Sequence, residues 1–113
     1  MKREIFITQE CFSFIAEQPP RASDKFHEVV TVLIGIRVVG MPYIKKLVNT
    51  DFYELRLKAG QEYRFILYPL DNNNFTLANR VICLNGFLKK STKDYRKAIS
   101  RGNELLKFYL KNE

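Results

Sequence analysis

Arginine, lysine and tyrosine gather at three places along the 113-residue chain, in a pattern suited to holding a polyanion, RNA foremost. Residues 52–58 alternate, with Tyr53, Leu55 and Leu57 on one side of an extended segment and Glu54, Arg56 and Lys58 on the other. A second extended segment over 63–70 sets Phe65 and Leu67 with Leu55 and Leu57, and leaves Arg64, Ile66 and Tyr68 on the opposite face. Arg56, Lys58 and Arg64 then share one sheet face with Tyr68. Lys89 and Lys90 follow the last extended stretch. Lys93, Lys97 and Arg101 recur every four residues and stack on one side of a helix. Like charges at that spacing repel by a few tenths of a kcal/mol per pair, a strain that an external anion relieves. A solvated helix face is the competing reading of that stripe.

The charge is unevenly distributed. Residues 1–79 hold ten Lys/Arg against nine Asp/Glu, and residues 80–113 hold nine against three, so the last third carries +6 of the net +7. Such asymmetry points to a polyanionic partner or a basic tail. A tail is poor in apolar residues, whereas this segment contains Ile99, Leu105, Leu106, Phe108, Tyr109 and Leu110. It reads as a folded basic surface.

Other chemistries have little support. His27 is the only histidine, which excludes a two-histidine nuclease pair and argues against zinc ligation. There is no phosphate-cradling glycine loop and no CxxC pair, so neither a metal nor a cofactor is expected. Glu10, Glu17, Asp24 and Glu28 fall on solvated helix faces. Cys11 and Cys83 have apolar neighbours and read as buried thiols of a reducing compartment. No stretch approaches the roughly 20 apolar residues of a membrane span, and no signal peptide is visible, so the expected location is the cytoplasm.

The length fits one domain over 1–113. A short strand is expected at Glu4–Thr8, then a helix on the stripe Cys11, Phe14 and Ile15 that ends at Pro19-Pro20. A second helix begins near Ala22–Asp24, capped by Ser23 or Asp24, and buries Phe26, Val29, Val30 and Leu33. A short link makes the two an antiparallel hairpin. Gly40-Met41-Pro42 reads as a turn, Ala59-Gly60-Gln61 as a hairpin connection and Asp71–Asn74 as another turn. The apolar run 75–87 is long for one strand, which suggests a bulge near Asn79-Arg80; Asn85-Gly86 reads as a turn or as the strand's end. A helix from Ser91 or Thr92 buries Ala98, Ile99, Gly102, Leu105, Leu106 and Tyr109. The fold class is α+β.

Four segments resemble, in order, the HigB-like toxins of the RelE/ParE superfamily. Gly40-Met41-Pro42-Tyr43-Ile44-Lys45-Lys46-Leu47 is similar to their G-x-P-Y-x-K-K-L segment, and Phe52-Tyr53-Glu54-Leu55-Arg56 to their L-W/Y-E-L-R strand. Residues 63–68 resemble Y-R-x-x-Y with one extra residue, and residues 84–92 resemble L-x-G-F-x-K-K-T/S. The resemblance spans residues 40–101. It implies an N-terminal helical hairpin packed on a small antiparallel sheet with a C-terminal helix. It further implies ribosome-dependent cleavage of mRNA and a cognate helix-turn-helix antitoxin.

RNA can be cut without metal when its 2′-hydroxyl attacks the adjacent phosphorus in line, provided the backbone is oriented and charge is stabilised. On this reading Arg56 and Arg64 clamp the reacting phosphate, each offering a planar fork to two oxygens. Lys89, Lys90 and Lys93 hold flanking phosphates or neutralise the transition state. Lys58, Tyr68, Lys97 and Arg101 complete the RNA-binding surface. Tyr95 falls where RelE-branch relatives carry a functional tyrosine, to stack on a base or assist proton transfer; core packing is its alternative role. Two departures bear on these roles. Glu54 stands where the RelE branch has lysine, though HigB-like members have Glu, and Ser91-Thr92-Lys93 replaces a frequent threonine–proline. Unperturbed Lys and Tyr titrate near pH 10, so the site is expected to be feeble on free RNA. Two rival functions fit the same fold: a ParE-like, non-enzymatic inhibitor of DNA gyrase, and an inactive basic RNA-binding domain.

Overall fold

The computed structural model describes residues 2–37 and 43–111. The elements are β1 (Glu4–Ile7), α1 (Gln9–Ala16), α2 (Pro20–Gly35), β2 (Ile44–Lys46), β3 (Tyr53–Ala59), β4 (Gln61–Pro69), a 3-10 turn (Phe75–Leu77), β5 (Arg80–Leu88) and α3 (Thr92–Lys111). The Gly40-Met41-Pro42 turn lies outside the described residues. No helix among those described is long and apolar enough to cross a membrane.

The strands form one sheet in the order β1-β5-β4-β3-β2. The expected all-antiparallel sheet is corrected here: β1 runs parallel to β5, pairing Glu4 with Arg80 and Ile7 with Cys83. The cause is local. The Thr8 side chain caps α1 by accepting from the Cys11 N–H at 3.1 Å, and it donates to the Leu84 carbonyl. The chain therefore leaves β1 straight into a helix lying on the sheet face, and β1 fills the open edge of β5.

Helices cover both faces. α1 and α2 bury Cys11, Ile15, Phe26, Val29 and Leu33 against Leu55, Leu57, Phe65, Leu67, Val81 and Cys83. On the opposite face α3 sets Ala98 and Leu105 on Phe52, Ile66, Ile82 and Leu84. The alternation read from the sequence is thus correct, but its Ile66 face is roofed by α3. α1 lies over β5 and α2 over β3, so the helical hairpin is held more by the sheet than by contact between its two members. α2 begins at Pro20, three residues before Ser23, the earlier of the two expected caps. Pro20 takes its first turn, where a missing N–H costs nothing, so neither Ser23 nor Asp24 caps it.

Four details shape the sheet and its turns. Gly60, at φ +81°, joins β3 to β4 in a conformation that favours glycine. The β4–β5 irregularity falls between Ile66 and Leu67, opposite Leu84 of β5, four residues beyond the Arg80 of the expected bulge, and turns both Leu84 and Asn85 toward α3. Before β5, the Asp71 carboxylate closes the loop by accepting from the Asn79 and Arg80 N–H groups. Asn85-Gly86 is neither a turn nor a strand end but lies within β5; a Cβ on Gly86 would sit 2.6 Å from the Phe65 ring, so only glycine fits.

Candidate functional site

Strand alternation brings Glu54 and Arg56 of β3 onto the same face as Arg64 of β4, with Arg56 directly across from Arg64. Arg64 in turn pairs with Phe87 of β5. The first turn of α3 hangs over this patch and lowers Tyr95 onto it. The Tyr95 ring meets Phe87 edge to face at 5.2 Å, and its hydroxyl accepts from Arg64 Nε at 3.0 Å.

Arg64 is almost wholly buried, and all of its nitrogens are engaged. Nη1 donates to the Tyr63 carbonyl and Nη2 to Glu62 Oε1, both at 3.0 Å. Burial alone would depress its pKa, but Glu62 and Tyr95 outweigh burial and raise it. Tyr95 shifts upward as well, first through burial and then through the neighbouring Glu54 carboxylate, which outweigh Arg64. Its phenol is therefore neutral at physiological pH. Glu54 is 3% exposed; Oε1 lies 3.4 Å from Arg56 Nε, and Oε2 has no hydrogen-bond partner among the described residues. A buried, incompletely satisfied carboxylate costs stability and is characteristic of functional positions.

Beside the cluster opens a concavity of about 380 Å³ lined by Lys25, Tyr43, Arg56, Leu57, Lys58, Glu62 and Arg64. Lys89 is tied to one of the lining residues, its N–H donating to the Glu62 carbonyl at 2.9 Å. The Glu62 carboxyl is held below the usual range by its hydrogen bond and ion pair with Arg64, with Lys89 and Lys58 assisting against partial desolvation. The Asp94 carboxylate accepts from the Lys90 and Ser91 N–H groups, both at 2.8 Å, which fixes the lysine turn at the head of α3 and lowers the Asp94 pKa.

The structure therefore brings together Arg56, Arg64, Lys58, Lys89 and Tyr95, with Lys90 exposed on the adjoining turn. Lys93 and Lys97 are exposed on α3. Arg101 is held by Glu10 of α1, with Nε 3.0 Å from Oε2, and by Glu104 at 3.6 Å. Tyr68 is four residues along β4 from Arg64, about 13 Å away. It packs edge-on against Phe52 at 6.0 Å, under α3. Glu54 and Glu62 were not singled out as site residues from the sequence. The alternation 52–58 already placed Glu54 beside Arg56; Glu62 carried no such signal, because its role depends on which donor of Arg64 it meets.

Other conspicuous residues lie apart. His27 is exposed on α2. Cys11 and Cys83 are buried free thiols with sulfurs 3.5 Å apart, and their mutual hydrogen bond and burial push the Cys83 pKa well up. Among the described residues no group of three or more His, Cys, Asp or Glu is placed to hold a metal ion.

The sequence profile of the family described as Phage derived protein Gp49-like matches residues 13–107. Among solved structures, the fold is similar to a mutant of the Escherichia coli toxin RelE in the free state, at 15% identity and a TM-score of 0.51, over 89% of this chain and 98% of that one. No curated protein sequence matches the chain.

Proposed function

Because the chain belongs to the Gp49-like family of phage-derived proteins, a RelE/HigB-type toxin family, we propose that this toxin is an mRNA endoribonuclease that works on the ribosome and is restrained by a helix-turn-helix antitoxin. The observation that carries the reading is the hydrogen bond from Arg64 Nε to the Tyr95 hydroxyl, on the sheet face that also holds the buried Glu54 carboxylate, beside a cationic concavity.

The chemistry follows from that line. The 2′-hydroxyl of the RNA attacks the adjacent phosphorus, forming a 2′-O–P bond as the P–O5′ bond breaks. Its proton passes to the Tyr95 oxygen while the Tyr95 proton passes to Glu54, so a phenol of raised pKa serves as a relay without ionising. Arg64, hydrogen-bonded to Tyr95 and Glu62, orients the phenol. Arg56 and Lys89 face the phosphate and stabilise its developing charge, and the leaving 5′-oxygen takes a proton from solvent. Lys58, Lys90, Lys93 and Lys97 hold flanking phosphates. Arg101 contributes grip only after releasing Glu10, and Tyr68 supports α3 from beneath. The ribosome supplies the in-line geometry that this small surface does not impose on free RNA.

Purified toxin added to translating ribosomes should yield fragments with 2′,3′-cyclic phosphate and 5′-hydroxyl ends. Fragments ending in 3′-hydroxyl would contradict the 2′-attack. Intact mRNA accompanied by gyrase inhibition would favour the ParE-like alternative.

A further inference from the structure

The far end of α3 carries a second surface, remote from the cluster. A groove of about 400 Å³ runs between the sheet end and the last turns of α3, lined mainly by Ile5, Phe6, Leu70, Val81, Leu106 and Leu110. Phe6 is 52% exposed although its ring stacks edge-on against Tyr109 at 5.6 Å, and Leu110 is 44% exposed. Phe108, 59% exposed, extends the aromatic run by meeting Tyr109 at 5.2 Å. β1, which carries Phe6, is also the outer strand of the sheet. An apolar patch of this kind beside a sheet edge marks an interaction site.

We propose that this groove is the docking site of the antitoxin, which inserts an apolar segment with acidic flanks. The inference rests on the toxin–antitoxin reading above. Charge decides the occupant. Within the groove Arg80 lies beside its strand partner Glu4, which balances it, and the excess positive charge comes from Lys107 and Lys111, exposed on the turns of α3 that line the groove. A net charge of +7 opposes a second copy of this chain and favours an acidic partner. Tyr95 and Tyr109 are fourteen residues apart on α3, so the groove lies about 21 Å along the helix from the phenol. Recognition by the antitoxin is thus separable from the cleavage chemistry.

Phe6→Asp and, independently, Leu110→Glu test this, with the protein encoded by the gene adjacent to this one as the probe. Both variants should keep the wild-type melting profile and arrest growth when induced alone. Their affinity for the adjacent gene product should fall at least tenfold, and its coexpression should no longer restore growth. If that product binds and neutralises the wild type and both variants equally, the groove is not the docking site, while the toxin–antitoxin reading stands. If it neither binds nor neutralises the wild type, the partner reading fails and the inference with it. Self-association of the free protein that Phe6→Asp abolishes would assign the groove to a second copy and overturn the proposal.

Discussion

Arg64 on β4 donates from Nε to the Tyr95 hydroxyl at 3.0 Å, joining the centre of the sheet to the first turn of α3. Two consequences meet at this contact. The phenol is fixed in place, and an almost fully buried guanidinium gains part of the hydrogen bonding that its burial demands.

Arg64→Ala should therefore remove cleavage and lower stability together, because it leaves the Tyr63 carbonyl and Glu62 without their donor. Thermal melting measured beside the activity will show both losses. A variant with full stability and no cleavage would mean that Arg64 acts on substrate without supporting the fold.

Glu54→Gln should lower cleavage by about 10²–10⁴-fold, the usual worth of a positioned proton acceptor. Its melting temperature should fall, since Arg56 and the buried Arg64 guanidinium lose the carboxylate charge beside them. Single-turnover cleavage on ribosome-bound mRNA is the measurement.

Much of this site was legible in the sequence, for a simple reason. A period of two assigns faces whatever the surroundings, so Arg56 and Arg64 were placed side by side from alternation alone, and the α3 stripe through Ala98, Gly102 and Leu105 followed from a period near 3.6. What was not legible depended on partners distant in sequence. Arg101 read as a free cation because nothing local announces Glu10, 91 residues away. Tyr68 read as a site residue because alternation gives the face and not the position along it. The parallel β1 was missed because strand direction at an edge depends on where the chain goes next. The stripe placed Gly102 on the buried side of α3 without saying why a glycine stands there: a Cβ would lie 3.2 Å from Ile66 and 3.3 Å from Asn85, so the glycine permits close approach of helix and sheet.

Arg3 was equally silent in the sequence, and it ties distant elements together. Its guanidinium donates to the carbonyls of Leu33, Ile36, Arg37, Phe75 and Ala78 and lies 4.4 Å from the Phe75 ring centroid. Burial lowers its pKa, with Arg37 assisting. Arg3→Met should cost at least about 2 kcal/mol, by orphaning buried carbonyls, as read from urea unfolding. Any folded fraction should retain cleavage.

Acid should weaken the head of α3 through Asp94. Hydrogen bonds from the Lys90 and Ser91 N–H groups depress its pKa, so its stabilisation is fully present above the unfolded value near pH 4 and is lost as pH falls through the lower folded value. Asp94→Ala should accordingly melt below the wild type at pH 7, with the difference closing as pH drops below about 3. A pH series of melting curves for the two proteins checks the sign.

The relay itself is tested most directly by Tyr95→Phe, which removes one oxygen and keeps the ring packed on Phe87. Primer extension on a translated mRNA should show discrete breaks within coding sequence after the wild type is induced. The Tyr95→Phe protein, folded and equally abundant, should reduce those breaks by at least about a hundredfold. Undiminished cleavage by Tyr95→Phe, or intact transcripts after induction of the wild type, would contradict the account.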